Sequence, residues 1–101
     1  MDTETIAMTL IAHSGDARTL AFQALQAAKK HDFEEADRLM GESRKASAEA
    51  HHGQTDLLIA EANGEKIDLS VLLIHSQDHL MTSMLAQELI GEMIELYKIQ
   101  K

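Results

Sequence analysis

Five consecutive residues, His75-Ser76-Gln77-Asp78-His79, place two imidazoles and a carboxylate close together in the chain. On a helix, side chains three and four apart share a face, so His75, Asp78 and His79 project together. Three chemistries fit those residue types. A neutral imidazole can accept a phosphoryl group on one ring nitrogen while a hydrogen bond fixes the other. The same three residues could ligate zinc, although the Glu of a His-Glu-x-x-His pattern is missing. General acid–base work is the third, but the sequence shows no nucleophile or substrate pocket to go with it.

The setting of this cluster is unusually apolar. His75 and His79 continue a helical stripe of Leu72, Thr82, Ala86, Leu89 and Met93. Asp78 falls on the stripe of Val71, Ile74, Met81 and Leu85. A carboxylate among apolar neighbours needs a partner, because an unpaired buried charge is costly. Near a symmetry axis the charge would be copied, and the carboxylates would have to share protons or clamp a cation, most simply Mg²⁺. The remaining histidines read more plainly. His13 is expected to be a satisfied core histidine, and at least one of His51 and His52 an exposed surface residue, although the pair could add ligands.

Three helical segments must position these groups. In the first, Ile6, Leu10, His13, Ala17, Leu20, Ala24 and Ala27 recur in steps of four and three, with Ala7, Ile11, Ala21, Leu25 and Ala28 alongside widening the stripe to a core-facing band, and it closes on Lys29 and Lys30. His31-Asp32 is a plausible break, with Asp32 as N-cap of the second segment and Glu35 as its capping-box partner. The second seam runs through Phe33, Ala36, Met40, Ser43, Ser47, Ala50, Gln54 and Leu57. Its small, polar middle allows either close helix approach or a weakly buried face. It ends near Ala62-Asn63-Gly64, where Asn or Gly can take the left-handed stop conformation. Asp68 reads as the N-cap of a third helix from Leu69 to about Ile99, closed by Lys98 and Lys101. Short connections make neighbours antiparallel, giving an all-α, up-down-up three-helix bundle in a single domain over residues 1–101. The third helix is apolar almost all round, and two partners cannot cover it. Self-association is therefore expected, and a dimer, trimer or tetramer would each satisfy the argument.

Composition narrows the function. The 101 residues carry 9 Lys+Arg against 17 Asp+Glu, a formal charge of −8, and show no basic stripe, so nucleic-acid binding is not expected. Cysteine is absent, which excludes disulfides, thiolate chemistry and cysteine-ligated metal centres. No apolar run approaches the ~20 residues of a membrane span, and Met1-Asp2-Thr3-Glu4 lacks the positive start of a secretory signal. A cytoplasmic protein without direct membrane insertion is the expectation.

The string Val71-Leu72-Leu73-Ile74-His75-Ser76-Gln77-Asp78-His79-Leu80-Met81-Thr82 closely resembles the active-site motif of the lactose/cellobiose-type IIA components of the bacterial sugar phosphotransferase system. Phe33-Glu34-Glu35-Ala36, Glu49-Ala50-His51-His52-Gly53-Gln54-Thr55 and Glu95-Leu96-Tyr97-Lys98 are similar to other parts of that family, so the likeness spans nearly the whole chain. Ser76 stands where many members have Ala, and any N-terminal extension would be short here. The resemblance implies a cytoplasmic phosphocarrier. His75 would accept a phosphoryl group from phospho-HPr and pass it to a cysteine of the IIB component. Through IIB it would serve the IIC membrane permease in the uptake and phosphorylation of a β-linked disaccharide. It further implies a homotrimer of nine helices, with Asp78 binding one Mg²⁺ per trimer on the threefold axis and His79 assisting at the catalytic site. The alternative is a non-catalytic, oligomeric, metal-binding helical bundle, which the presence of His75 disfavours. A metal-dependent hydrolase, the third reading, lacks a Glu base and further carboxylate ligands.

Overall fold

Small residues spaced alternately by three and four along the chain become the inner seams of three helices, α1 (Thr3–Lys29), α2 (Phe33–Ala62) and α3 (Val71–Ile99). The computed structural model describes residues 2–100. Lys101, expected to help close α3, lies outside the described residues. The helices run up, down and up in a rod measuring 55 × 19 × 17 Å. Among the described residues there is no strand, so the expected all-α, three-helix bundle is the fold.

The inner seam of α1 is Ala7, Leu10, Ser14, Ala17, Ala21, Ala24 and Ala28. All but Ser14 lie in the expected core-facing band, but its centre is shifted from the expected stripe towards Ala7, Ala21 and Ala28. Ile6, Leu20, Ala27 and His13 sit half-buried at its edges. The physical reason is closeness: alanines and a serine let α1 approach both neighbours, and the bulkier side chains are displaced to the flanks. On α2, Ser43 Oγ donates to the Ala17 carbonyl of α1 at 2.6 Å, so the small polar middle of that helix serves close approach. The seam of α3 is Leu73, Ser76, Leu80, Ser83, Ile90 and Ile94.

Two apolar clusters result. One gathers Ala21, Ala24, Ala28, Ala36, Leu39, Met40, Ile90 and Ile94 beside the α1–α2 turn. The other gathers Ala7, Leu10, Ala50, Leu57, Leu73 and Leu80 towards the opposite end. Between them lies a belt of buried serines, Ser14, Ser43, Ser47, Ser76 and Ser83. Gln87 Nε2 bridges part of it, donating to Ser43 Oγ at 2.8 Å and Ser47 Oγ at 3.1 Å.

The helix ends follow their caps. Asp32 caps α2 as expected, accepting from the Glu35 amide at 3.3 Å. The reciprocal half of the capping box is absent, because the Glu35 carboxylate engages Arg38 instead and the Asp32 amide donates to Ala27 O at 3.0 Å. That bond, with His31 N donating to Ala28 O at 2.9 Å, closes α1 in a Schellman motif. The left-handed position is held by His31, at φ 60°, rather than by glycine. The same motif ends α2, with Gly64 at φ 86°, where Glu65 N donates to Ala60 O at 3.0 Å. The start of α3 differs from expectation. Its cap is Ser70, whose Oγ accepts from Leu73 N at 3.0 Å, so the helix begins at Val71, two residues later than expected.

Candidate functional site

The α3 seam turns Leu73, Ser76 and Leu80 inward, and this rotation fixes where the polar string points. His75 and Asp78 face outward, with 54% and 65% of their side chains exposed. His79 is half-buried against α1. The structure brings all three together. His75 Nδ1 is 3.4 Å from Asp78 Oδ1, and the His75 and His79 rings meet edge-on with centroids 5.5 Å apart. A carboxylate beside Nδ1 favours a proton on that nitrogen, which leaves Nε2 of His75 as the open lone pair.

His79 is tied to the core. Its Nδ1 lies 2.7 Å from Ser14 Oγ, and its Cε1 is the nearest atom to the open side of Gly15. Partial burial pushes the His79 imidazole below its ordinary value; the Arg18 guanidinium and His75 push the same way, against the pull of Asp78. Ser14 and Arg18 were not singled out from sequence. The available signal for Ser14 was its position on α1, one residue after His13, on the face that an Ala-rich seam would bury; Arg18 is exposed.

Asp78 is not buried within one chain, as its apolar stripe had suggested. It is exposed along with that stripe, in which Val71 is 84% exposed and Ile74, Met81 and Leu85 are each more than half exposed. Among the described residues of one chain, no three His, Asp or Glu side chains converge tightly enough to enclose a metal ion. A cation held by Asp78 would thus need carboxylates from further copies. Hard oxygen donors of that kind suit Mg²⁺. His51 and His52 are exposed on α2, where His52 Nε2 lies 3.9 Å from Asp56 Oδ2.

Gln77 extends the site sideways, accepting from Gln54 Nε2 at 2.8 Å. Beyond this pair opens an apolar groove of about 170 Å³ lined by Leu57, Leu58, Ile67, Leu69, Leu73 and Ile74, with Glu61 at its edge. No helix among the described residues is long and apolar enough to cross a membrane.

Residues 5–98 match the family described as the lactose/cellobiose-specific IIA subunit of the PTS system. The chain is 52% identical, over 95 residues, to the N,N'-diacetylchitobiose-specific EIIA component of Escherichia coli K12, covering 94% of this chain and 82% of that one. It superposes on the crystal structure of the cellobiose-specific enzyme IIA from Bacillus anthracis with a TM-score of 0.94 at 50% identity, covering 97% of this chain and 90% of that one. It also superposes on the IIA(chitobiose) chain of a solution structure of the Escherichia coli IIA(chitobiose)–HPr complex. There the TM-score is 0.83 at 49% identity, with coverage of 97% and 95%.

Proposed function

Because the chain belongs to the lactose/cellobiose-specific IIA family of the sugar phosphotransferase system, and is thereby a phosphotransferase component, we propose that it takes its phosphoryl group on His75 Nε2 and hands it to a IIB component. The observation that supports this choice is the half-exposed His75 ring with its Nδ1 turned to Asp78. As phospho-HPr docks, the bond from phosphorus to its carrier breaks while the bond to Nε2 forms, and the proton stays on Nδ1 beside the carboxylate. In the second transfer the Nε2–P bond breaks towards a IIB cysteine sulfur, restoring the neutral imidazole. A carrier must hold the group near the transfer potential of donor and acceptor, so the site should stabilise it little. The exposed ring, with no cationic side chain at hydrogen-bond distance among the described residues, suits that demand.

The apolar groove beside Gln77, with Glu61 at its edge, suits brief docking, with a footprint near ~1,200 Å². The sugar served is a β-linked disaccharide, the class named for the relatives, and the site of action is the cytoplasm. The exposed apolar stripe of α3 is the seam of a homotrimer, in which the three copies of Asp78 would hold one Mg²⁺. That ion would neutralise carboxylates that otherwise repel one another.

Incubation with phosphoenolpyruvate, enzyme I and HPr should load the wild-type chain with an acid-labile phosphoryl group, while His75→Ala, with unchanged helix content, takes none. Undiminished ³²P incorporation into His75→Ala would overturn the assignment. Asp78→Leu should sediment as a trimer at least as stable as the wild type, since the repelling carboxylates are gone. Dissociation into monomers would refute the electrostatic account of the axis.

A further inference from the structure

We propose that Ser14 is a positioning residue for the phosphotransfer site: it holds His79 as the Nδ1–H tautomer, leaving Nε2 of that ring an acceptor. This rests on the phosphocarrier reading given above. Ser14 is fully buried, and its Oγ lies 2.6 Å from Leu10 O, 3.3 Å from Ile11 O and 2.7 Å from His79 Nδ1. A hydroxyl has one proton to give. The carbonyls can only accept, and two bare oxygens at 2.6 Å would repel, so the proton lies towards Leu10 O. Ser14 therefore has only lone pairs to offer His79, and the short contact to Nδ1 requires the ring to supply the hydrogen. Nδ1–H donates to Ser14 Oγ, and Nε2 carries the lone pair.

The consequence falls on the phosphoryl group. With the two rings 5.5 Å apart, a phosphoryl group on His75 has the His79 ring as its neighbour. A donor there would hydrogen-bond the phosphoryl oxygens and deepen the phosphohistidine well. An acceptor cannot, so α1 contributes to keeping the group transferable without touching it.

The direct test is a two-bond ¹⁵N–¹H correlation spectrum of the histidine-labelled, unphosphorylated chain, recorded well above the ordinary imidazole pKa of about 6.5. His79 should show a protonated Nδ1 and a bare Nε2. A wild-type spectrum showing the Nε2–H form that free histidine prefers would overturn the proposal, whatever the variants do. In Ser14→Ala the Nε2–H form should gain population, and the equilibrium with phospho-HPr should shift towards the phosphorylated chain by roughly two- to tenfold, the reach of one net hydrogen bond. An unshifted tautomer, or an equilibrium moved the other way, would also overturn it. Because the spectrum needs no phosphate, a chain that shows the Nδ1–H tautomer yet takes no phosphoryl group would sink the phosphocarrier reading, and the positioning role with it. The opposite pair of results would sink only the role of Ser14.

Discussion

The apolar cluster beside the α1–α2 turn and the serine belt at mid-rod are built from the same alternating seam, yet they hold the helices by different means. Around Met40, Ile90 and Ile94 the contacts are non-directional, and stability follows from apolar surface removed from water. In the belt, directional bonds cross between helices: Ser14 Oγ with His79 Nδ1, Ser43 Oγ to Ala17 O, and Gln87 Nε2 to Ser43 and Ser47. Ser76 bonds Leu73 O within its own helix, and Ser83 has no partner among the described residues. The difference teaches that the belt specifies rotation more than it supplies stability. His75 and His79 sit where rotation matters, at the height of Ser14 and Ser76.

That contrast can be tested by substitution. Ile90→Ala should cost most, about 2–5 kcal/mol, since it opens a cavity in the apolar cluster. Chemical denaturation that finds less than 1 kcal/mol would show that this end is loosely packed. Ser43→Ala should cost less, about 1–2 kcal/mol, because Ala17 O loses a donor and Gln87 Nε2 loses one of two acceptors. A loss as large as that of Ile90→Ala would mean that the belt, too, is chiefly a source of stability. Ser83→Ala should have the opposite sign. Its buried hydroxyl has no partner among the described residues, so removing it should raise stability by about 1 kcal/mol, read as a higher denaturation midpoint at unchanged slope. The smallest change is expected outside both regions, at the left-handed His31. His31→Gly should stabilise by a few tenths to about 1 kcal/mol by relieving the Cβ penalty. A destabilised variant would show that its ring contact with Phe33 outweighs that strain.

Much of this was legible in the chain itself. The polar string of α3 stands out because three chemistry-bearing residues interrupt the most apolar stretch, and helical spacing alone places His75, Asp78 and His79 together. The breaks at His31-Asp32 and Asn63-Gly64 were equally readable from their turn chemistry. The core-facing band of α1 was readable too, but its centre was not, because hydropathy ranks Ile6 and Leu20 above Ala7 and Ala21, whereas tight packing selects the smaller residue. The same error put His13 in the core and hid Ser14, whose side chain alone gives no sign of a partner 65 residues away. Asp68 outranked Ser70 as a cap for a related reason. Both can cap a helix, and only the path of the connection decides which one meets the first free amide.

α1 packs extensively against both other helices, while α2 and α3 touch each other only sparingly. Since α1 and α2 are joined by a tight turn, their pairing closes a short loop and can form early, in the manner of fast-folding, low-contact-order bundles. The His79 ring on α3 then comes to Ser14 only when the final helix docks. A chain that has lost that docking would keep most of its helical signal in circular dichroism while the His79 ring loses its bond to Ser14.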